Sequence, residues 1–324
     1  MCTAISFLTN EHYFGRNLDY EILYNQEIII TPRNFPLIFR QYPNINNHYA
    51  IIGMGIYECE YPLYFDATNE KGLSIAGLNF KENAVYNHSI RGLNNIASFE
   101  FIPWILSQCS DIIEVKKLLE KTNITDEPFS EKYAPSQLHW MISDRKNSLT
   151  VESTADGLKI YDNPVGVLTN NPKFEMQMFN LNNYMNLSAY PIENNFSEEI
   201  DFVKYSRGMG AIGLPGDLSS MSRFVKAVFT KANSICEKDE FSSICQFFHI
   251  LESVLQQKGC TRLDDGKYEY TQYISCCNTD QCIYYYKTYS NSQINAVKLK
   301  SENLNTNEIM CFPLILTPNI NYHN

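Results

Sequence analysis

The sequence predicts an α+β fold, and three observations carry that reading. The first third of the chain alternates short apolar, β-leaning runs with turn residues. Two later blocks place apolar residues at helical spacing. The order β-rich, helical, β, helical, β does not form repeating βαβ units. It fits two antiparallel sheets packed face to face between helical layers.

The elements follow in order. Cys2–Leu8 is an apolar run, and Asn10-Glu11 is a turn signal before a second short strand within His12–Tyr20. Glu27–Thr31, Ala50–Ile56 and Gly72–Leu78 are the next strands. The period then changes to helical over Phe99–Cys109 and Ile112–Leu119, the second capped by Asp111 with Glu114 three residues on. Leu138–Ser143, Ser148–Ser153 and Leu158–Tyr161 return to strand, with Asp156-Gly157 at the last hairpin turn. Two stronger helices span about Ser219–Ile235 and Phe241–Gln257, the latter stopped by Gly259. Tyr268–Cys276, Cys282–Tyr289 and Ile294–Leu299 close the chain as strands.

No Pro/Gly/Ser-rich linker, charge block or internal repeat divides the 324 residues, so residues 2–324 read as one domain. With 44% hydrophobic residues, 22 Tyr and 19 Phe, there is material for a core and an apolar pocket. The net charge of −10 argues against a nucleic-acid surface. It also requires any anionic ligand to be met by a local positive spot. No apolar run approaches the ~20 residues of a membrane span, and the start lacks the pattern of a signal peptide, so the expected compartment is the cytoplasm. The ten cysteines are dispersed. Cys59, Cys109, Cys236 and Cys245 are expected to pack as small hydrophobes, and Cys276, Cys277 and Cys282 have no His at zinc-ligand spacing.

The chemistry starts at Cys2. If Met1 is removed, one residue carries a thiol, with an ordinary pKa of about 8.5, and an α-amine that titrates near ~7.7–8.0. Nucleophile and base then sit on the same residue. A hairpin return would bring Arg16 and Asp19 beside the chain start, a guanidinium to favour the thiolate and a carboxylate to hold the ammonium. The alternative is a surface Arg–Asp pair of little worth, and spacing does not choose between them.

Asn79 ends a Gly/Ala-rich apolar strand, and Asn170 follows the apolar Val165–Leu168 before a Pro-marked turn. Both are either turn residues or neutral donors for a developing oxyanion. Arg223 precedes a helical apolar run, where a solvated face is the default. Gly208-Met209-Gly210-Ala211-Ile212-Gly213 has the spacing of a dinucleotide loop, but no strand precedes it and Leu214-Pro215-Gly216 follows, so 205–217 reads as a loop. Six scattered histidines leave a Cys–His dyad open, although a solitary one such as His139 is usually a hydrogen-bonded core residue.

Met-Cys-Thr-Ala-Ile followed by Gly15-Arg16-Asn17-Leu18-Asp19 resembles the choloylglycine hydrolases, the bile salt hydrolases and penicillin V acylases of the N-terminal nucleophile superfamily. Further blocks agree in order: Asn69-Glu70-Lys71-Gly72-Leu73, Ala76-Gly77-Leu78-Asn79-Phe80, Leu138-His139-Trp140, Gly166-Val167-Leu168-Thr169-Asn170-Asn171-Pro172, Gly213-Leu214-Pro215-Gly216-Asp217 with Ser222-Arg223-Phe224, and Gln246-Phe247-Phe248-His249-Ile250-Leu251. The resemblance covers essentially the whole chain. It implies a four-layer αββα sandwich and an amidohydrolase that splits bile acid from glycine or taurine without metal or organic cofactor. It implies Cys2 as nucleophile and Arg16, Asp19 and Arg223 as active-site partners, with Asn79 and Asn170 as oxyanion donors.

By the same resemblance Leu18, Tyr24, Phe65, Phe129 and Tyr133 line the substrate pocket, where their alternative is core. Arg207, in Ser206-Arg207-Gly208, belongs to a loop linked to taurine preference. Asn182–Asn195, loop-like and polar, resembles an assembly segment, which implies a homotetramer. Asn79 favours the bile-salt branch, since the acylases tend to carry Tyr there. The alternatives are a penicillin V or other N-acyl amidase, and a non-catalytic binder of amphipathic anions.

Overall fold

The computed structural model describes residues 1–324. In chain order the strands begin with β1 (Cys2–Leu8), β2 (His12–Tyr20), β3 (Glu27–Thr31), β4 (Ile51–Glu58), β5 (Tyr61–Asn69), β6 (Ser74–Asn79) and β7 (Asn94–Ala97). Helices α1 (Phe101–Gln108) and α2 (Ile112–Leu119) follow. Then come β8 (Thr122–Thr125), β9 (Leu138–Ser143), β10 (Ser148–Thr154), β11 (Gly157–Asp162) and β12 (Val167–Leu168). After α3 (Phe174–Asn180), α4 (Ser220–Asn233) and α5 (Glu240–Glu252) the chain ends in β13 (Thr261–Arg262), β14 (Tyr268–Asn278), β15 (Ile283–Thr288), β16 (Asn295–Lys298) and β17 (Met310–Pro313).

Two antiparallel sheets form the centre. One runs β12-β1-β2-β14-β15-β16, with β13 on β14, and the other β11-β10-β9-β6-β5-β4-β3-β17. Strands β7 and β8 form a small parallel pair apart. Helices α4 and α5 cover the outer face of the first sheet, and α1 packs on the outer face of the second. The fold is therefore α+β with four layers, αββα, as predicted. Its apolar interior has two parts. One joins the facing sides of the sheets to α4 and α5, through Ile30, Ile52, Met141, Phe224 and Phe247 among others. The other lies between the second sheet and α1 and α2, around Trp104, Phe101 and Trp140.

Where the structure departs from the expected elements, tertiary contacts explain it. The sequence does not signal strand β5, because Pro62 and Asp66 interrupt its apolar pattern. Asp66 is nevertheless fully buried, and its carboxylate accepts hydrogen bonds across the sandwich from Tyr273 Oη (2.6 Å), Tyr284 Oη (2.6 Å) and Ser275 Oγ (3.0 Å). Helix α5 stops at Glu252, well before Gly259, because the next segment peels away to pair with β14. Gln256 N there finds no helical carbonyl to donate to; it donates instead to Thr271 Oγ1 at 2.9 Å, and Thr271 N donates to Gln256 O at 3.0 Å.

Asp111 caps α2 as expected, accepting from Ile113 N and Glu114 N, whereas Glu114 turns to Ser110 rather than to the cap's own N–H. Cys109 is buried, but Cys59 and Cys245 are exposed, which corrects their assignment to the core: Cys59 sits in the β4–β5 turn and Cys245 on the outer face of α5. Within the segment 182–195, Met185 and Tyr190 are largely exposed among the polar residues. No helix is long and apolar enough to cross a membrane.

At the end of β1 and β2 remote from Cys2, His12 is buried between Ser6 Oγ and Thr279 Oγ1, each 2.8 Å away. Burial pulls its pKa down to about 4, against the opposing fields of Asp280 and Asp144. The unfolded chain takes up this proton near ~6.5, while the folded one stays neutral down to about 4, so stability falls as pH drops through that window. The loss amounts to roughly 3 kcal/mol at its acid end. Urea unfolding of wild type and His12→Gln between pH 4 and 7 should show a shallower pH slope in the variant. Parallel slopes would remove His12 from the acid sensitivity.

Candidate active site

The hairpin β1–β2 builds the site. It pairs Cys2 with Leu18 and Ala4 with Arg16, so alternation sends Cys2, Arg16 and Leu18 to the side facing the second sheet. Thr3, Asn17 and Asp19 point to the opposite side, toward α4 and α5. Gly15 makes this register possible, since a Cβ there would stand 2.1 Å from Ser275 O on β14. That close approach lets Arg16 N donate to Ser275 Oγ at 3.1 Å.

On the inner side, Arg16 Nη2 donates to Cys2 Sγ at 2.5 Å, and Nη1 is held by the carbonyls of Gly77 (2.5 Å) and Phe65 (3.2 Å). The guanidinium is almost wholly buried. Burial works against its charge, but Cys2, Tyr273, Asp66 and Asp19 outweigh it, and the pKa of Arg16 rises above its ordinary value. Burial in turn raises the pKa of Asp66, with Arg16 and the three hydroxyls pulling the other way. Arg16 is thus a fixed positive group aimed at the sulfur.

On the outer side Arg223, four residues into α4, turns back to the chain start instead of lying on a solvated face. Its Nη1 donates to Cys2 O (2.5 Å) and Thr3 Oγ1 (2.7 Å), its Nη2 to Asn170 Oδ1 (2.8 Å) and its Nε to Leu218 O (2.9 Å). Burial lowers its pKa, opposed by Asp19, Cys2 and Glu269. Asp19 lies 3.9 Å from it and accepts from Thr271 Oγ1 (2.6 Å) and Gln256 Nε2 (3.2 Å).

Asn170 closes the ring. Its Oδ1 accepts from Cys2 N at 2.7 Å, and its Nδ2 donates to Asn79 O at 2.8 Å. The Cys2 nitrogen therefore meets Asn170, while Asp19 acts one step back through Arg223. The neighbouring Asn171 points elsewhere, donating to Lys81 O at 2.7 Å. In the chain that carries Met1, the terminal ammonium rests on Asp19 O (2.6 Å) and on Glu269 Oε1 (2.7 Å). Burial raises the pKa of Glu269, and this ammonium opposes it. Nothing in the sequence singles out Glu269, because an acidic residue in a Tyr-rich strand looks like a solvent-facing one.

A cavity of about 280 Å³ opens on Cys2 and Arg16. Leu18, Tyr24, Phe65, Phe129 and Tyr133 all line it, as does Asn79. Ile56, Leu63, Phe99 and Ile102 join them without having been anticipated, their apolar character being indistinguishable from core in one dimension. Tyr24 packs against Tyr20 and Phe65, and Phe129 against Phe99, Tyr61 and Tyr133. Asp19, Asn170 and Arg223 stand behind the sulfur rather than in the cavity wall. Arg207 is exposed and lies outside the lining. No cluster of three or more His, Cys, Asp or Glu is placed to hold a metal ion.

Comparison with known proteins places the chain among its relatives. The chain is 56% identical to a bile salt hydrolase/transferase of Lactiplantibacillus plantarum over 97% of each sequence. Its structure superposes on the C2A mutant of the conjugated bile acid hydrolase from Clostridium perfringens with a TM-score of 0.93, at 40% identity over the whole of both chains. The penicillin V acylase of Agrobacterium tumefaciens shares the fold, with a TM-score of 0.75 at 19% identity over 96% of this chain and 91% of that one. The sequence profile of the linear amide C–N hydrolases, choloylglycine hydrolase family, matches residues 2–312, and the chain belongs to that family.

Proposed function

We propose that this enzyme hydrolyses the amide bond joining a bile acid to glycine or taurine, with Cys2 as nucleophile after removal of Met1. The observation that carries the reading is the contact of a buried guanidinium with the Cys2 thiol at the mouth of an apolar cavity. The cavity suits the flat apolar body of a steroid, and two of the relatives named above are a bile salt hydrolase/transferase and a conjugated bile acid hydrolase.

In the proposed cycle the freed α-amine of Cys2 takes the thiol proton, and Sγ attacks the amide carbonyl. The C–N bond breaks as the same amine returns the proton to the departing nitrogen. Water then hydrolyses the thioester, releasing the bile acid and restoring the thiol. Arg16 favours the thiolate. Asn170 orients the amine through its Oδ1 and is, with its Nδ2, the second oxyanion donor of the scheme, while Asp19 and Arg223 hold Asn170 and the Cys2 carbonyl in place. The Asn79 carboxamide makes no hydrogen bond of its own and faces the cavity beside Cys2, which supports it as an oxyanion donor. No cofactor takes part in this scheme.

Release of taurine and glycine from conjugated bile salts, set against hydrolysis of phenoxymethyl penicillin, tests the substrate class. Preferential hydrolysis of the penicillin would move the enzyme to the acylase branch. Tight binding of bile salts without turnover would make it a binding protein.

The taurine preference belongs to the same proposal, supported by an exposed Arg207 with no ion-pair partner and by the permanent charge of a sulfonate. Arg207→Ala is expected to lower kcat/KM for taurine conjugates severalfold relative to glycine conjugates. An unchanged ratio removes Arg207 from specificity.

We further read residues 2–324 as one domain, since each sheet draws strands from distant parts of the chain. A homotetramer is supported by the exposed Met185, Tyr190, Phe196, Phe202 and Tyr205 on the segment between α3 and α4, and light scattering would measure it. Ten unpaired cysteines suit a cytoplasmic location, where thiols stay reduced.

A further inference from the structure

We infer that the buried pair His139–Glu152 is a positioning device that sets the two oxyanion asparagines, Asn79 and Asn170, relative to one another. The inference rests on the hydrolase reading above. Neither side chain has any exposed surface, and neither touches the cavity. His139 lies on β9 and Glu152 on the adjacent β10, with His139 Nδ1 3.0 Å from Glu152 Oε1.

Each arm of the pair leads to one asparagine. The His139 ring stacks on Phe80, the residue that follows Asn79, with centroids 4.2 Å apart and planes 6° from parallel. Its Nε2 is 2.9 Å from the carbonyl of Thr169, the residue that precedes Asn170. Glu152 Oε1 also accepts from Phe174 N at 3.0 Å, at the start of α3. That helix carries Gln177, whose Nε2 donates to Asn170 O at 2.6 Å and whose Oε1 accepts from Thr169 Oγ1 at 2.9 Å. One side-chain pair therefore grips the chain on both sides of Asn170 and stacks on the residue that follows Asn79.

Counting protons shows why both partners are needed. Thr169 O can only accept, so Nε2 carries a proton and donates it. The contact between Nδ1 and Glu152 then holds a second proton, on the ring or on the carboxyl. The pair is neutral overall, which offsets much of the cost of complete burial even though Glu152 Oε2 has no partner of its own. A glutamine at 152 cannot reproduce this. With its oxygen toward His139 and Phe174, the ring must move its proton to Nδ1 and turn a lone pair on Thr169 O. With its amide nitrogen inward, Phe174 N loses its acceptor. Either way one arm is released while the packing volume is kept.

The test uses the mature enzyme, Glu152→Gln, and a double variant His139→Phe with Glu152→Leu that keeps the ring stack without burying an unpaired charge. Alkylation of Cys2 counts the competent sites, so that kcat refers to folded enzyme. Since small misplacements of catalytic groups cost up to about 10²-fold, kcat is expected to fall tenfold or more in both, with KM changing less than about twofold. A structural role alone would lower the melting temperature and leave kcat per competent site within twofold of wild type, which overturns the inference. If wild type itself releases no taurine or glycine, the hydrolase reading fails instead. The crystal structure of Glu152→Gln then decides: a displaced Asn170 carboxamide supports the device, and an unmoved one overturns it.

Discussion

Replacing Cys2 by alanine is expected to abolish deconjugation, by roughly 10⁴-fold or more, the scale seen when a nucleophile is deleted. The variant should remain folded, because Cys2 is a small buried side chain whose loss leaves the β1–β2 pairing intact. Intact mass belongs in the same experiment. In the chain that carries Met1, the Cys2 nitrogen is an amide donating to Asn170 Oδ1, and an amide cannot take the thiol proton. Active preparations should therefore lack Met1, and any fraction that retains it should be inactive in proportion. Turnover that survives in Cys2→Ala, or in protein shown by mass to keep Met1, would sink the N-terminal mechanism and leave only the fold.

The second large effect is expected at Asn170. Its carboxamide oxygen receives both Cys2 N and Arg223 Nη2, and its amide nitrogen reaches the backbone of Asn79. Asn170→Ala thus removes the orienting acceptor for the amine, and by the proposed role an oxyanion donor with it. It also leaves the buried Arg223 short of a partner. A loss of about 10²–10³ in kcat is expected, about 2.7–4 kcal/mol of transition-state stabilisation. Asn171→Ala is the control, since that side chain is directed to Lys81 O. Equal losses in the two variants, or a larger one at Asn171, would move the role to the second asparagine of the pair.

Much of this site was legible in one dimension because its parts are local. Cys2, Arg16 and Leu18 sit on a single hairpin whose turn and alternation can be read directly, and period 2 alone puts them on a common face. Motif order supplied Asn79, Asn170 and Arg223, which no spacing argument would have joined. Composition could not sort pocket from core: Phe99 and Ile102 line the cavity, whereas the equally apolar Phe101 and Trp104 fill the layer beneath α1. Polar residues misled in the opposite direction. Asp66 broke the pattern of a central strand because its compensating hydroxyls come from β14 and β15, more than two hundred residues later. His139 read as a satisfied core residue, and so it is, but what satisfies it could not be read from its neighbours.

By itself the sequence determined the α+β class and most strand and helix positions, and it offered Cys2 as a candidate nucleophile with Arg16 and Asp19 returned beside it by a hairpin, because these depend on periodicity, turn residues and short-range pairing. Only the tertiary structure decided where α5 ends, which aromatics line the cavity, that Asn170 rather than Asp19 meets the Cys2 nitrogen, and that His139 and Glu152 reach the segments beside Asn79 and Asn170. Those outcomes depend on hydrogen bonds and packing between segments far apart in the chain. Such partners satisfy or expose a side chain in ways its own sequence neighbours do not encode.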